Sequence, residues 1–182
     1  MHVDQLAAEM VDREAIRHVM MRYARAIDRI DEDLLRSVYW PDATDNHGNY
    51  NGPVKGFIEW VIPGLGAMDQ TMHMLGNIHI EIHGSAAAVE SYFHAYHRMV
   101  RDDGSRFDAV IAGRYVDRME KRDGEWRIAR RELAYDWYRE YPDSGDWQSN
   151  IFDVPIRSNR YPDDVSYEIS RDARERGDAK SS

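Results

Sequence analysis

The stretch GRYVDRMEKRDGEWRIARRELAYDWYR, residues 113–139, decides the fold. Apolar and polar residues alternate on both sides of the tripeptide Arg122-Asp123-Gly124. An Asp-Gly pair between two alternating runs is a strong signal for a tight hairpin. The pattern therefore predicts two paired antiparallel strands, one over residues 106–119 and the other over residues 126–138.

The same period of two continues toward the N-terminus. A strand is predicted over residues 87–100, and the turn signal Asp102-Asp103-Gly104 separates it from the strand that follows. A further alternating run begins at Thr71 and is expected to be interrupted near Gly76. Four consecutive strands with short connections predict a long antiparallel meander.

Ahead of the meander, apolar residues recur with the helical period of 3.6. Residues 11–31 form the longest such run, residues 32–39 form a short second one, and residues 53–68 are apolar enough for a largely buried third helix. Residues 43–50 are read as a brief strand that runs into a turn. Three helices followed by a meander of strands is the order of an α+β fold.

Length and composition suit one domain with a tail. The chain has 182 residues, of which 42% are apolar, enough for one sizeable core. We expect residues 1–138 to form this domain and residues 139–182 to form an irregular extension, disordered over roughly its last ten residues. Several apolar residues of the extension are expected to dock on a neighbouring surface: Trp147, Ile151, Phe152, Val154 and Ile156.

The overall charge excludes some classes of partner. The net charge is −9, and the basic residues are scattered, whereas a nucleic-acid surface needs clustered Lys and Arg. No apolar run approaches the roughly 18 residues of a membrane span, and the N-terminus lacks the order of a signal peptide. We therefore expect a cytoplasmic protein that binds neither nucleic acid nor membrane.

Cysteine and histidine usage bounds the chemistry. The chain has no cysteine, which excludes disulfides, a thiolate nucleophile and cysteine-ligated zinc. His79 and His83 share one face of a predicted strand, but about 13 Å would separate them, too far for one ion. No compact ligand set emerges, so a catalytic metal is not expected.

One carboxylate in the first helix is unusually placed. Ile16, Tyr23 and Ile27 belong to the apolar arc of the helix, and Asp28 lies at its edge. An aspartate in the last turn opposes the helix dipole, which favours cations there. Asp28 either solvates the helix end or has a partner near the core, for which a histidine is one candidate.

The hairpin sequence carries a family resemblance. Its G-R-Y, D-G-x-W-R-I and Y-D-W elements resemble the SnoaL-like branch of the nuclear-transport-factor-2-like superfamily, and the likeness extends over residues 11–138. The resemblance implies a cone-shaped α+β barrel, in which three N-terminal helices pack on a curved antiparallel sheet.

Within that branch, the chain resembles scytalone dehydratase, bile-acid 7α-dehydratase and hexachlorocyclohexane dehydrochlorinase, which perform eliminations without a cofactor. The resemblance places the Asp–His pair of these enzymes at Asp28 and His73, and a tyrosine of the first helix at Tyr23. Two positions depart from the pattern: His47 stands nearest to a pocket tyrosine, and Ala134 nearest to an arginine that assists the leaving group.

These residues allow a simple acid–base scheme. A histidine held in one tautomer by a carboxylate is a good base near neutral pH, so His73, oriented by Asp28, would remove a proton. Tyr23 would donate to a developing oxyanion, and His47 would act as a second acid or orienting donor. Further residues are expected to bind the substrate: Trp40, Tyr50, Trp60, Met72, Tyr92 and His97. Because His94 and His97 differ by three positions on one strand, at most one of them lines the pocket.

The sequence thus predicts a cofactor-independent lyase that acts on a small hydrophobic, aromatic substrate. Dehydration and retro-aldol carbon–carbon cleavage, such as loss of formaldehyde, both fit the scheme. The alternatives are a non-catalytic small-ligand-binding module of the same fold and an isomerase that uses the same base. A homo-oligomer is expected, with a trimer favoured over a dimer.

Overall fold

The computed structural model of the chain describes residues 3–147 and 158–178, which form four helices and six strands. The helices are α1 (Val3–Arg29), α2 (Glu32–Ser37), α3 (Val54–Gly66) and α4 (Val165–Asp178). The strands are β1 (Tyr39–Asn46), β2 (Asn51–Pro53), β3 (Gln70–His83), β4 (Ala86–Val100), β5 (Arg106–Arg122) and β6 (Glu125–Pro142).

The six strands form one open sheet in the order β2-β1-β6-β5-β4-β3. The meander from β3 to β6 is antiparallel throughout, as predicted. The sheet as a whole is mixed, because β1 enters it beside β6 and runs in the same direction. The predicted α+β fold is confirmed, and the expectation of a purely antiparallel sheet is wrong at this one pairing.

The sheet is curved because its strands are bent at irregularities in register. The break between Leu75 and Ile78 falls where Gly76 interrupts the alternating pattern. Another break, between Ala112 and Gly113, bends the β5–β6 hairpin. Such bulges increase the local twist of a strand and let a sheet wrap around a core.

The core lies between the helices and the concave face of the sheet. The predicted apolar arc of α1 is buried there, with Ile16, Tyr23 and Ile27 almost inaccessible to solvent. The helix begins at Val3, earlier than the run that predicts it, and its first turns are largely exposed. No described helix is both long enough and apolar enough to cross a membrane.

The extension differs from its predicted irregular form, since it contains helix α4. Trp147 packs at 4.1 Å from the guanidinium carbon of Arg98. The other four apolar residues that were expected to dock, Ile151, Phe152, Val154 and Ile156, lie outside the described residues, as do residues 179–182.

The glycine of the G-R-Y element allows a close approach of two strands. A Cβ atom at Gly113 would lie 2.3 Å from the backbone oxygen of Ala134 on β6 and 3.2 Å from the ring of Phe93. The first distance is far below van der Waals contact and involves backbone on both sides. Only glycine therefore fits at this bulge of the hairpin.

Replacing Gly113 with Ala should push β5 and β6 apart at the bulge and lower the free energy of unfolding by about 1–3 kcal/mol. Gly64→Ala is the control, because a Cβ at Gly64 in α3 meets open space. Urea unfolding of both variants measures the difference. An unchanged midpoint for Gly113→Ala would show that the hairpin tolerates a side chain there.

Candidate active site

A cavity of about 500 Å³ opens between the helices and the concave face of the sheet. Its walls are mostly apolar and aromatic, a composition typical of sites for small hydrophobic ligands. The apolar lining includes Ile27, Val61, Leu65, Met68, Phe93, Ala95, Ile111 and Leu133. The polar and aromatic lining includes Tyr23, His47, Asn49, Trp60, His73, His97, Tyr115 and Tyr135.

Asp28 and His73 form a tightly held pair at this cavity. The ring Nδ1–H of His73 donates to Asp28 Oδ1 at 2.8 Å, and the backbone N–H of His73 donates to Asp28 Oδ2 at 2.8 Å. Burial raises the pKa of Asp28, but the hydrogen bonds and charge of His73 outweigh it, and the net pKa lies below the ordinary value. Asp28 is therefore a carboxylate at neutral pH, and it selects the tautomer of His73 whose Nε2 is a free base.

Asp28 reaches this partner from the end of α1 without itself lining the cavity. His73 stands in the wall, and Asp28 lies behind it. Tyr23 and Asp28 are five residues apart, about 140° around the helix, so their side chains point in different directions. Tyr23 faces the cavity, while Asp28 faces His73 near the start of β3.

A second histidine–aspartate pair lies at the same cavity. The Nδ1 of His47 is 2.9 Å from Asp45 Oδ1, and Tyr39 donates its hydroxyl to Asp45 Oδ2 at 2.6 Å. Asp45 is completely buried. Sequence reasoning missed Asp45, although the spacing Asp45-x-His47 on a strand puts both side chains on one face. The two-residue spacing of Asp45 and His47 could therefore have indicated this pair from the sequence.

Tyr23 is buried against a cationic centre that sequence reasoning also missed. The guanidinium of Arg131 packs against the rings of both Tyr23 and Tyr115, at 3.9 and 4.2 Å from their centroids. Arg131 donates through Nε and Nη2 to Asp117, at 2.8 and 2.7 Å. Burial raises the pKa of Tyr23, with Arg131 opposing it, so the hydroxyl stays protonated. That hydroxyl has no hydrogen-bond partner in the described part of the chain.

His97, and not His94, faces the cavity. The strand β4 pairs Ala95 with His73, so its odd-numbered side chains share the face of His73. The rings of His73 and His97 meet edge to face at 5.1 Å, whereas His94 packs against Trp137 on the outer face. Burial, reinforced by His73 and opposed by Asp28, lowers the pKa of His97 to about 3.

The same alternation corrects several expected substrate contacts. Met72 and Tyr92 occupy the even positions of β3 and β4 and lie on the outer face, 51% and 46% exposed. Trp40 lies away from the cavity, where its indole N–H donates to the backbone oxygen of Glu120 at 3.0 Å. Trp60 does line the cavity, and Tyr50 stacks on its far side with ring centroids 6.0 Å apart.

Comparisons with known proteins agree with this architecture. Residues 8–132 match the SnoaL-like domain. The chain belongs to the SnoaL-like family. A family member of Mycobacterium tuberculosis, described as uncharacterized, is 31% identical over 128 residues, which cover 68% of this chain and 85% of that protein.

Solved structures of other proteins show the same fold. A candidate scytalone dehydratase of Novosphingobium aromaticivorans superimposes with a TM-score of 0.66 at 24% identity, covering 78% of this chain and 99% of that one. A type 2 hexachlorocyclohexane dehydrochlorinase superimposes with a TM-score of 0.70 at 19% identity, covering 79% and 97%. At these identities the likeness establishes the fold and leaves the reaction to the chemistry of the site.

Metal binding has no evident location in this site. Among residues 3–147 and 158–178, no group of three or more His, Asp or Glu side chains is arranged to hold a metal ion.

The depressed pKa of His97 has a consequence for stability. An unfolded chain binds a proton at His97 near pH 6.5, whereas the folded protein does not until about pH 3. Stability is therefore lost as the pH falls below 6.5. When the pH is lowered from 6.5 to 5, the free energy of unfolding of His97→Gln should fall by on the order of 1–2 kcal/mol less than that of the parent protein.

Urea unfolding at the two pH values measures this difference. His94→Gln, on the outer face, is the matched control and should follow the parent. If the parent and His97→Gln lost the same free energy of unfolding between pH 6.5 and 5, His97 would have to take up its proton in the folded state.

Proposed function

We propose that the protein is a cofactor-independent lyase in which His73, oriented by Asp28, removes a proton from a small hydrophobic substrate. The observation that carries the proposal is the pair of 2.8 Å hydrogen bonds that holds His73 in the wall of an apolar cavity. A base needs a fixed tautomer, access to the substrate and a dry surrounding, and all three coincide at His73.

The second pair supports an elimination. In a dehydration, Nε2 of His73 takes a proton from the carbon next to the C–O bond, and the C–H electrons form the double bond. The C–O bond then breaks, and the departing oxygen takes a proton from His47 or Tyr23 and leaves as water. The proton on His73 returns to solvent, and the donor is reprotonated from solvent.

A retro-aldol cleavage uses the same base differently. Here His73 takes the hydroxyl proton of a CH₂OH group, the O–H electrons form the carbonyl of formaldehyde, and the C–C electrons move into the conjugated remainder of the substrate. His47 or Tyr23 then protonates that remainder. Both reactions need one base and one proton donor at the same cavity, the arrangement that His73 and His47 provide.

The lining supports an aromatic substrate class. Trp60 and Tyr135 are partly exposed and lie at the cavity, while Phe93 stacks on Tyr115 within it at 4.5 Å. Flat aromatic walls suit planar ligands through offset stacking and apolar burial.

The test is a mass-spectrometric screen of aromatic diols and hydroxy-steroids for loss of water or formaldehyde. With a substrate found, His73→Ala should lower kcat/KM by about 10³-fold, and Asp28→Asn by a similar order because it removes the charge that selects the tautomer. His94→Ala, a histidine of the same sheet outside the cavity, should retain activity.

Full activity of His73→Ala would overturn the proposal. A product of unchanged mass that also depends on His73 would identify an isomerase, and saturable binding without any product would identify a ligand-binding module of the same fold.

We further propose that the protein forms a homo-oligomer through the outer face of the sheet, with a trimer favoured over a dimer. Met72, Met74, Tyr92 and Trp137 are all more than two-fifths exposed on β3, β4 and β6. The strand registers place them on one continuous face, and such an exposed apolar patch typically marks a protein contact.

The double variant Met74→Glu/Trp137→Glu should shift the molecular mass measured by light scattering from an oligomer to the 21.3 kDa monomer. A control pair, Val3→Glu/Met10→Glu, changes exposed apolar residues of α1 away from the sheet. A monomeric parent protein would refute the assembly.

A further inference from the structure

The chain beyond the SnoaL-like match returns to the end of α1, directly behind Asp28. The backbone N–H of Tyr161 donates to the carbonyl oxygen of Arg29 at 2.7 Å. Arg29 in turn donates to the carbonyl oxygen of Asn159 at 2.6 Å and to Asp164 Oδ2 at 3.1 Å. The match ends at residue 132, so this contact is made by a part of the chain outside the family domain.

Arg160 bridges the two elements that supply the dyad. Its Nη1 donates to the carbonyl oxygen of Asp28 on α1 and, at 2.7 Å, to the hydroxyl of Thr71 on β3. Thr71 is buried and lies two residues before His73, on the same face of the strand. One rigid guanidinium is thus hydrogen-bonded both to the last turn of α1 and to the start of strand β3.

The charge of Arg160 suits this location. The carbonyl of Asp28 is among the last four of α1, which lack intrahelical donors, and a helix C-terminus favours a cation. The positive charge also lies beside the carboxylate of Asp28. Burial lowers the pKa of Arg160, with Asp28 opposing, but a guanidinium stays charged at neutral pH.

We propose that Arg160 is a positioning residue: it sets the separation of α1 and β3 at the Asp28–His73 pair and so holds the His73 ring in the orientation in which its Nδ1 bonds Asp28. The kinetic part of this inference rests on the proposed function, and the structural part does not. Two groups face His73 most closely, Asp28 from α1 and His97 from β4. Other titratable groups share its cavity: Tyr23, His47, Tyr115 and Tyr135.

Docking of the extension does not depend on Arg160 alone, which makes the inference testable. Tyr167 donates its hydroxyl to Asp31 Oδ2 at 2.7 Å, and Arg25 lies over its ring at 4.5 Å. The contacts of Arg29 form a second anchor. Removing the Arg160 guanidinium therefore changes the dyad support while the extension stays attached.

The first experiment needs no substrate. Nitrogen-15 spectra of the imidazole groups report the tautomer of each histidine, and His73→Ala identifies the His73 signals by their loss. In the parent protein His73 should show the Nδ1–H tautomer. Arg160→Gln should give a mixture of His73 tautomers, because the imidazole is no longer held against Asp28, whereas Tyr167→Phe, which loosens the same extension away from the dyad, should keep the parent spectrum.

The second experiment uses any substrate found by the screen. Arg160→Gln should lower kcat by about 10- to 100-fold with little change in KM. Arg160→Lys, which keeps a cationic hydrogen-bond donor at this place, should restore part of the lost kcat.

An Arg160→Gln protein with the parent imidazole spectrum and the parent kcat overturns the inference. If no lyase activity exists, the imidazole spectra still decide whether Arg160 positions the pair. Failure of the proposed function is therefore distinguishable from failure of this inference.

Discussion

The double hydrogen bond between Asp28 and His73 is the constraint that the site depends on, because it uses both oxygens of one carboxylate to join a helix to a strand. Oδ2 binds the backbone N–H of His73 and Oδ1 binds its ring. The first bond fixes the strand against the helix end, and the second fixes the imidazole against the strand. A carboxylate at the negative end of a helix dipole is unfavourable alone, and these two donors, with Arg160 behind, compensate for it.

The two histidine–aspartate pairs of the cavity have different surroundings. Asp28 lies at a helix end, in contact with a segment of the extension that carries a cation. Asp45 lies wholly inside the protein, held by the hydroxyl of Tyr39 and near the buried Arg131–Asp117 ion pair. When two similar titratable pairs lie in different environments, one pair can act as the base and the other as the acid within one site.

The fold could be predicted from the sequence because its signals are local. The Asp-Gly turns and the period of two fix the meander, and Gly76 marks one place where it bends. The direction of β1 could not be predicted, because its pairing with β6 depends on a contact across some 85 residues of chain. Helix α4 was missed because half of its residues are charged and none of them is buried, so it carries no dense apolar run of the kind that predicts α1 and α3.

For the candidate site, too, the residues with a local signal could be predicted and those that depend on distant contacts could not. Helix phase places Asp28 at the edge of the core, and the family resemblance supplies His73 as its partner. Strand alternation, once His73 faces inward, is sufficient to turn Met72 outward and His97 inward. Arg131 and Arg160 were missed because each acts through residues distant in sequence, and no local pattern distinguishes a buried arginine from the many exposed ones of this chain.

Three polar atoms around the cavity have no hydrogen-bond partner within residues 3–147 and 158–178: the Tyr23 hydroxyl, His97 Nδ1 and Arg131 Nη1. Each buried group of this kind costs about 1–3 kcal/mol of folding stability. The protein therefore holds its polar groups in place before any ligand arrives and is less stable for doing so. All three atoms are closed to solvent, so a ligand reaches one of them only if a neighbouring side chain moves, and the hydrogen bond gained then returns part of this stability to the complex.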